Sequence, residues 1–264
     1  MATILVANDD GIASPGIAAL AEAMVPLGQV VIAAPCAPFS SAGRGFCGGT
    51  KRIERRTWPL PGIVAYAVDG SPAYTVRTAL DALLERPPDL LVSGINHGEN
   101  LGTNTTLSGT VGAAIEGAVS GVPAIAFSLE APVQYHDNPV PGLDFTVAAG
   151  IARRLAAAVL RLSLPLGVDL LKVDVPSDAT AATPWVITRV SRQKYWRSLV
   201  AAGPSGVREI VGYERDIDHA TLEPDSDIHA VAVRRVVSVT PMTVDLSAAG
   251  IGAGLQALLA EAGA

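Results

Sequence analysis

The sequence predicts an α/β protein: a doubly wound, mostly parallel sheet with helices on both faces, followed by a β-rich C-terminal extension. Three observations carry this. Short β-branched and apolar runs alternate with helix-length runs from Thr3 to about Val175, the pattern of successive βα units. Polar clusters follow three of these strand-like runs, where open α/β sheets hold ligands. The alternation then stops near Pro176.

The elements follow in order. Thr3 to Asn8 reads as a buried strand that ends in polar residues. Pro15-Gly16 opens an Ala-rich helix to about Val25, and Gly28 stops it. Gln29 to Ala34 is a second strand ended by Pro35, and residues 35–49, rich in Gly, Ser and Pro, form a loop. Ile63 to Val68 is a strand, Ala73 to Leu84 a helix, and Asp89 to Ser93 a strand. Gly94 to Leu107 reads as a polar, Gly-rich loop. Ser108 to Val119 is helical, Ala124 to Ser128 a strand, Asp144 to Leu162 a helix and Leu170 to Val175 a strand. This is a Rossmann-like core over residues 1–176.

Residues 177–264 read as an extension that serves subunit contact or covers the active site. Trp185 to Val190 and Val231 to Thr240 are its strands, and an Ala/Leu helix begins near Gly252. Between them SRQKYWR, at 191–197, mixes cations with aromatics, and the stretch to Asp227 has little periodicity. The segment suits stacking on a base, a solvated hairpin or a subunit contact.

Composition narrows the function. With 264 residues, 49% of them apolar, the chain can bury a large core without staples. A net charge of -6 argues against a nucleic-acid polymer as partner, since that needs many Lys and Arg contacts to phosphates. It leaves room for a small anionic substrate beside a bound cation. Cys36 and Cys47 form no CxxC pair, and they are expected to sit as small apolar groups in a reducing cytosol. The opening MATILVANDDG has no basic n-region, and no apolar run reaches the ~20 residues of a membrane span. The expectation is a cytoplasmic protein.

The polar clusters are Asn8-Asp9-Asp10-Gly11, Ser40-Ser41 and Ser93-Gly94-Ile95-Asn96-His97-Gly98. Adjacent carboxylates repel unless something positive lies near. Asp9-Asp10 is thus either a turn or N-cap pair, or a metal site. Asp, Ser and Asn oxygens are hard ligands suited to Mg²⁺, Mn²⁺ or Ca²⁺. Ser108-Gly109-Thr110 starts a helix, and the free N–H groups there favour phosphate. Alone it reads as an ordinary capped helix; the Gly-rich loop leading into it adds weight. Neither a GxxxxGK[ST] loop nor a GxGxxG fingerprint after the first strand is present. His97, next to Asn96, invites a general-acid role, but a loop histidine facing solvent is the preferred reading; His136, His219 and His229 are isolated.

These residues resemble the SurE family. ILVANDDGIASPGI at 4–17 is similar to the family's opening, VSGINHGENLG at 92–102 to its Ser-Gly-Ile-Asn loop, and LSGTVGAAIEG at 107–117 to its Ser-Gly-Thr helix start. VDGSPA at 68–73 and VSVTPMTVDL at 237–246 match two further motifs, so the matches run in order along nearly the whole chain. The resemblance implies a divalent-metal-dependent phosphatase of nucleoside 5′- and 3′-monophosphates, assembled as a homodimer or homotetramer. It carries one divalent cation per subunit (Mg²⁺ or Mn²⁺) onto Asp9, Asp10, Ser40 and Asn96.

Under that reading Asp9 or Asp10 orients a water or takes its proton, and Asn96 contacts a phosphoryl oxygen. The 108–110 N–H groups and the hydroxyls of Ser108 and Thr110 hold the remaining oxygens. The alternative is a nucleotide- or sugar-nucleotide-binding module, or a transferase, without phosphatase activity. It would have no need of two neighbouring carboxylates. The chain departs from the family pattern at Cys36, at Phe39-Ser40-Ser41, where Ser41 stands for a glycine, and at Lys172 and Asp174, where the family more often carries asparagines.

Overall fold

A computed structural model describes residues 1–133, 136, 142–247 and 252–262. Nine strands form one sheet: β1 (Ala2–Ala7), β2 (Gly28–Pro35), β3 (Ile53–Arg56), β4 (Val64–Val68), β5 (Leu90–His97), β6 (Ala124–Leu129), β7 (Leu170–Val175), β8 (Trp185–Ile187) and β11 (Val237–Met242). Their order is β3-β4-β2-β1-β5-β6-β7-β11-β8. The six strands from β4 to β7 are parallel, whereas β3 runs antiparallel to β4 and β11 to β7.

The predicted α/β class is therefore the observed one. The helices are α1 (Pro15–Met24), α2 (Pro72–Thr78, prolonged by a wider turn through Leu83), α3 (Gly109–Val119), α4 (Thr146–Leu162) and α5 (Gly252–Glu261). The two-residue period of β1 explains the layering. Ile4 and Val6 face α1 and α4, packing with Ile17, Leu20, Met24 and Ile151. Leu5 and Ala7 face the opposite side, where Val76 of α2 and Val111 and Ala114 of α3 cover them. Each fully buried Leu, Ile or Met side chain contributes about 1.5–3 kcal/mol. Helix starts are fixed locally: Ser14, Ser71 and Ser108 each cap the helix that follows, with Pro15 and Pro72 at the first helical positions of α1 and α2.

The chain leaves β1 toward β2 and β4, then returns to the other side of β1 as β5. The carboxyl ends of β1 and β5 thus form the switch-point crevice where such sheets bind ligands.

Several expectations change beyond this point. β5 continues through His97, and residues 102–107 form a short 3-10 helix, so the predicted 94–107 loop is shorter. Ile53–Arg56 is a strand that the sequence reading missed. Residues 229–233 are a wide helical turn, and the last strand begins only at Val237. Val237 to Met242 and Trp185 to Ile187 join the main sheet. Among the described residues, β9 (Trp196–Ala202) and β10 (Arg208–Arg215) form a separate antiparallel ribbon. Cys36 is exposed and Cys47 half-exposed; neither is a core residue. Among the described residues no helix is long and apolar enough to cross a membrane.

Candidate active site

A cavity of about 280 Å³ opens at the switch point, and its walls include Asp9, Asp10, Ser40, Asn96, His97 and Ser108. Four expected metal ligands from three segments thus meet in one space. Asp9 and Asp10 stand directly beyond β1 because the strand ends at Ala7 and Gly11, at φ +89°, turns the chain. Phe39 N–H donates to Asp9 O at 2.8 Å and Ile12 N–H to Pro35 O at 2.9 Å, so the Ser40 loop lies against the Asp9 turn.

The start of α3 abuts the first carboxylate. A Cβ on Gly109 would lie 2.9 Å from Asp9 Oδ2, so only glycine admits this approach. Thr110 Oγ1 donates to Asp9 Oδ1 and lies 3.2 Å from Asn96 Oδ1. Thr110 is fully buried and orients Asp9, so the expected contact of its hydroxyl with phosphate is replaced by a supporting one. Ser108 caps α3 through Val111 N–H at 3.1 Å and also lines the cavity. Asn96 Nδ2 donates to Gly98 O at 2.7 Å, which turns its Oδ1 toward Thr110. Asp10 Oδ2 accepts from His97 N–H at 3.3 Å.

The electrostatics follow from burial. Asp9 is 6% exposed. Burial, then the charge of Asp10, pushes its pKa up to about 7 despite the Thr110 bond. Burial also raises Asp10 to about 7. Two neighbouring carboxylates in this state have an unmet demand for positive charge. No group of three or more His, Cys, Asp or Glu is arranged for a metal among the described residues. A cation here would be completed by the neutral oxygens of Ser40 and Asn96. An all-oxygen set fits Mg²⁺ or Mn²⁺.

His97 does not face solvent as expected. It is buried, its ring is 5.2 Å from Phe145, and Nε2 is 3.5 Å from Ser14 Oγ. Burial lowers its pKa against the pull of Asp9.

The Ser40 loop is held to α3 at two points. Gly43 O lies so close to Gly112 that a Cβ there would be 2.0 Å away. Arg44 Nε donates at 2.7 Å to Glu116, which also accepts from Arg77 at 2.6 Å. The altered loop is thus anchored by a fully buried carboxylate between two guanidinium groups.

Sequence reasoning gave no role to several cavity residues, among them His136, Ser198 and Tyr213, and left Trp196 within a segment whose three readings included base stacking. Trp196 lay in SRQKYWR, but its direction could not be read. His136 and Tyr213 sit in no motif.

The family profile described as "Survival protein SurE" matches residues 4–197. The chain belongs to the SurE family. SurE relatives include the 5′-nucleotidase SurE of Thermococcus kodakarensis, 43% identical over 249 residues and covering 93% of both chains. That of Methanocella arvoryzae is 41% identical over 251 residues, again with 93% of both chains covered. The crystal structure of the SurE protein from Aquifex aeolicus superposes with a TM-score of 0.79 at 31% identity, covering 97% of this chain and 99% of that one.

Proposed function

We infer that the chain is a 5′-nucleotidase, a phosphoric monoester hydrolase acting on nucleoside monophosphates. The observation that carries this is the pair of adjacent carboxylates, Asp9 buried and Asp10 partly so, meeting Ser40 and Asn96 oxygens and a helix start in one cavity. The names of the SurE relatives support the same reaction.

Asp9, Asp10, Ser40 and Asn96 would hold one divalent cation, which supplies charge neutralisation and Lewis acidity at a phosphoryl oxygen. The protein's own groups do the rest. Ser108 and Gly109 present the positive end of α3 to the other phosphoryl oxygens. Thr110 fixes the rotamer of Asp9. Asp9 or Asp10 orients the attacking water or accepts its proton. A binding module without metal chemistry has no need of two adjacent carboxylates. The exposed Val200, Val207, Ile210 and Val211 of the ribbon and its turn support a homo-oligomer, dimer or tetramer.

The test is Asp9→Asn. Phosphate release from nucleoside monophosphates should fall by about 10²-fold or more, with an unchanged circular dichroism spectrum. Near-normal turnover by the folded variant would refute the assignment.

A further inference from the structure

The cavity that contains Asp9, Asp10, Ser40 and Asn96 has a second wall of different chemistry. Trp196, Ser198 and Tyr213 of the β9–β10 ribbon line it, together with His136. The antiparallel register sets Ser198 opposite Tyr213 and Trp196 opposite Arg215. Residues two apart on one strand, and their cross-strand partners, share a face. Trp196, Ser198, Tyr213 and Arg215 therefore point to the same side of the ribbon. The Trp196 and Tyr213 rings are 5.3 Å apart at 77°, and the His136 ring is 5.5 Å from Trp196 at 82°. Tyr213 OH is 2.9 Å from His136 Nδ1. Trp196 is half-buried: Tyr195, Tyr213 and His136 stand at steep angles to its ring, the Arg215 guanidinium carbon lies over the ring 5.9 Å from its centroid, and the residue still borders the cavity.

The wall is fixed relative to the carboxylates. Arg215, opposite Trp196, donates to Glu99 Oε1 at 2.7 Å and pairs with Glu130 at 2.9 Å. The Glu99 side chain is fully buried and also accepts from Tyr195 OH at 2.8 Å. Asn104 Oδ1 accepts from Tyr195 N–H at 2.8 Å. Glu99 and Asn104 lie between Asn96 and Ser108 in the chain, so the segment that carries the amide oxygen also sets the position of the ribbon.

A phosphoryl group calls for cations and several convergent N–H donors; an indole brings one N–H and a large apolar face. A flat apolar ring beside a hydroxyl and an imidazole suits the base and sugar of a nucleoside. We propose that Trp196, braced by Tyr213 and His136, is the nucleobase platform of this cavity and sets the preference for nucleotides over other phosphate monoesters. The proposal rests on the 5′-nucleotidase reading and adds the residue that selects the substrate.

The experiment compares adenosine 5′-monophosphate with ribose 5-phosphate, which carries an anomeric hydroxyl in place of the base, in the presence of Mg²⁺ or Mn²⁺. Base stacking on an aromatic side chain corresponds to about 5- to 150-fold. The ratio of kcat/KM for the two substrates should fall at least fivefold in Trp196→Ala and stay near the wild-type ratio in Trp196→Phe. An unchanged ratio in a folded Trp196→Ala protein would overturn the proposal. Absence of phosphate release from every ester would sink the hydrolase reading alone. The platform is then read with adenosine: it should quench tryptophan fluorescence in the wild type and not in Trp196→Phe. No quenching in the wild type would overturn the platform.

Discussion

Lys172 offers a quantitative test of the account, because its charge is fully buried behind the active-site loop. Its Nζ lies 2.5 Å from Asp174 Oδ2 and 3.0 Å from Asp227 Oδ2. Burial opposes its charge, but the two carboxylates outweigh burial and its pKa is raised. Asp174 Oδ1 accepts from Asn100 N–H at 2.7 Å and Asp227 Oδ2 from Gly102 N–H at 3.1 Å. The triad thus ties β7 to the loop that lines the cavity. Lys172→Met keeps the volume of the side chain and leaves two buried carboxylates unneutralised. Breaking a buried pair in this way costs about 3–5 kcal/mol. At about 2–4 °C per kcal/mol for a chain near this size, Tm should fall by roughly 10 °C.

The double variant Lys172→Met/Asp174→Asn separates charge from packing. It leaves Asp227 alone, which still accepts from Ser191 N–H at 2.9 Å and Ile228 N–H at 2.8 Å. The double variant should recover at least half of the loss, so the two effects are strongly non-additive. Calorimetry on the three proteins is the assay. A single variant within about 1 kcal/mol of wild type, or a double variant worse than the single, would refute the reasoning.

Two more predictions concern the carboxylates and their loop. Ser41 has φ +58°, a region that costs a side-chain-bearing residue about 1–2 kcal/mol. Since glycine also frees the unfolded chain by about 0.4–1 kcal/mol, Ser41→Gly should raise stability by about 0.5 kcal/mol in urea unfolding; a clear loss would contradict this. Asp9 and Asp10 have folded pKa values of about 7, above the unfolded 3.8. The metal-free folded protein therefore binds more protons than the unfolded chain between these values, and the pair's contribution to stability falls as pH rises through 7. EDTA-treated protein should show a lower urea midpoint at pH 8 than at pH 5.5 relative to Asp9→Asn, and Mg²⁺ affinity by titration calorimetry should be weaker at pH 6 than at pH 8.

The parallel core was legible because strands buried on both faces carry near-continuous apolar runs, as ILVA in β1, VVIAA in β2 and AIAF in β6, and because Ser-Pro and Ser-Gly pairs mark the helix starts. The residues that meet in the cavity could be nominated for the same reason: each follows a strand or opens a helix at the switch point. The ribbon was not legible. It is a two-stranded sheet apart from the main one, and β9 and β10 are largely exposed, so no apolar run spans either one in the sequence. His97 was misread because its burial depends on Phe145 and Ser14, both distant in sequence. Lys172 and Asp174 made no sense from sequence, since the third member, Asp227, lies in the segment without periodicity.

The central claim is that four oxygen-bearing residues and a divalent cation make this cavity a nucleotidase. Phosphate release from a panel of nucleoside monophosphates, first with EDTA and then with excess Mg²⁺ or Mn²⁺, tests it most directly. The account predicts no release with EDTA, and release restored by metal that is strongest on nucleotides. Undiminished release with EDTA, or none with any metal from the folded protein, would contradict it.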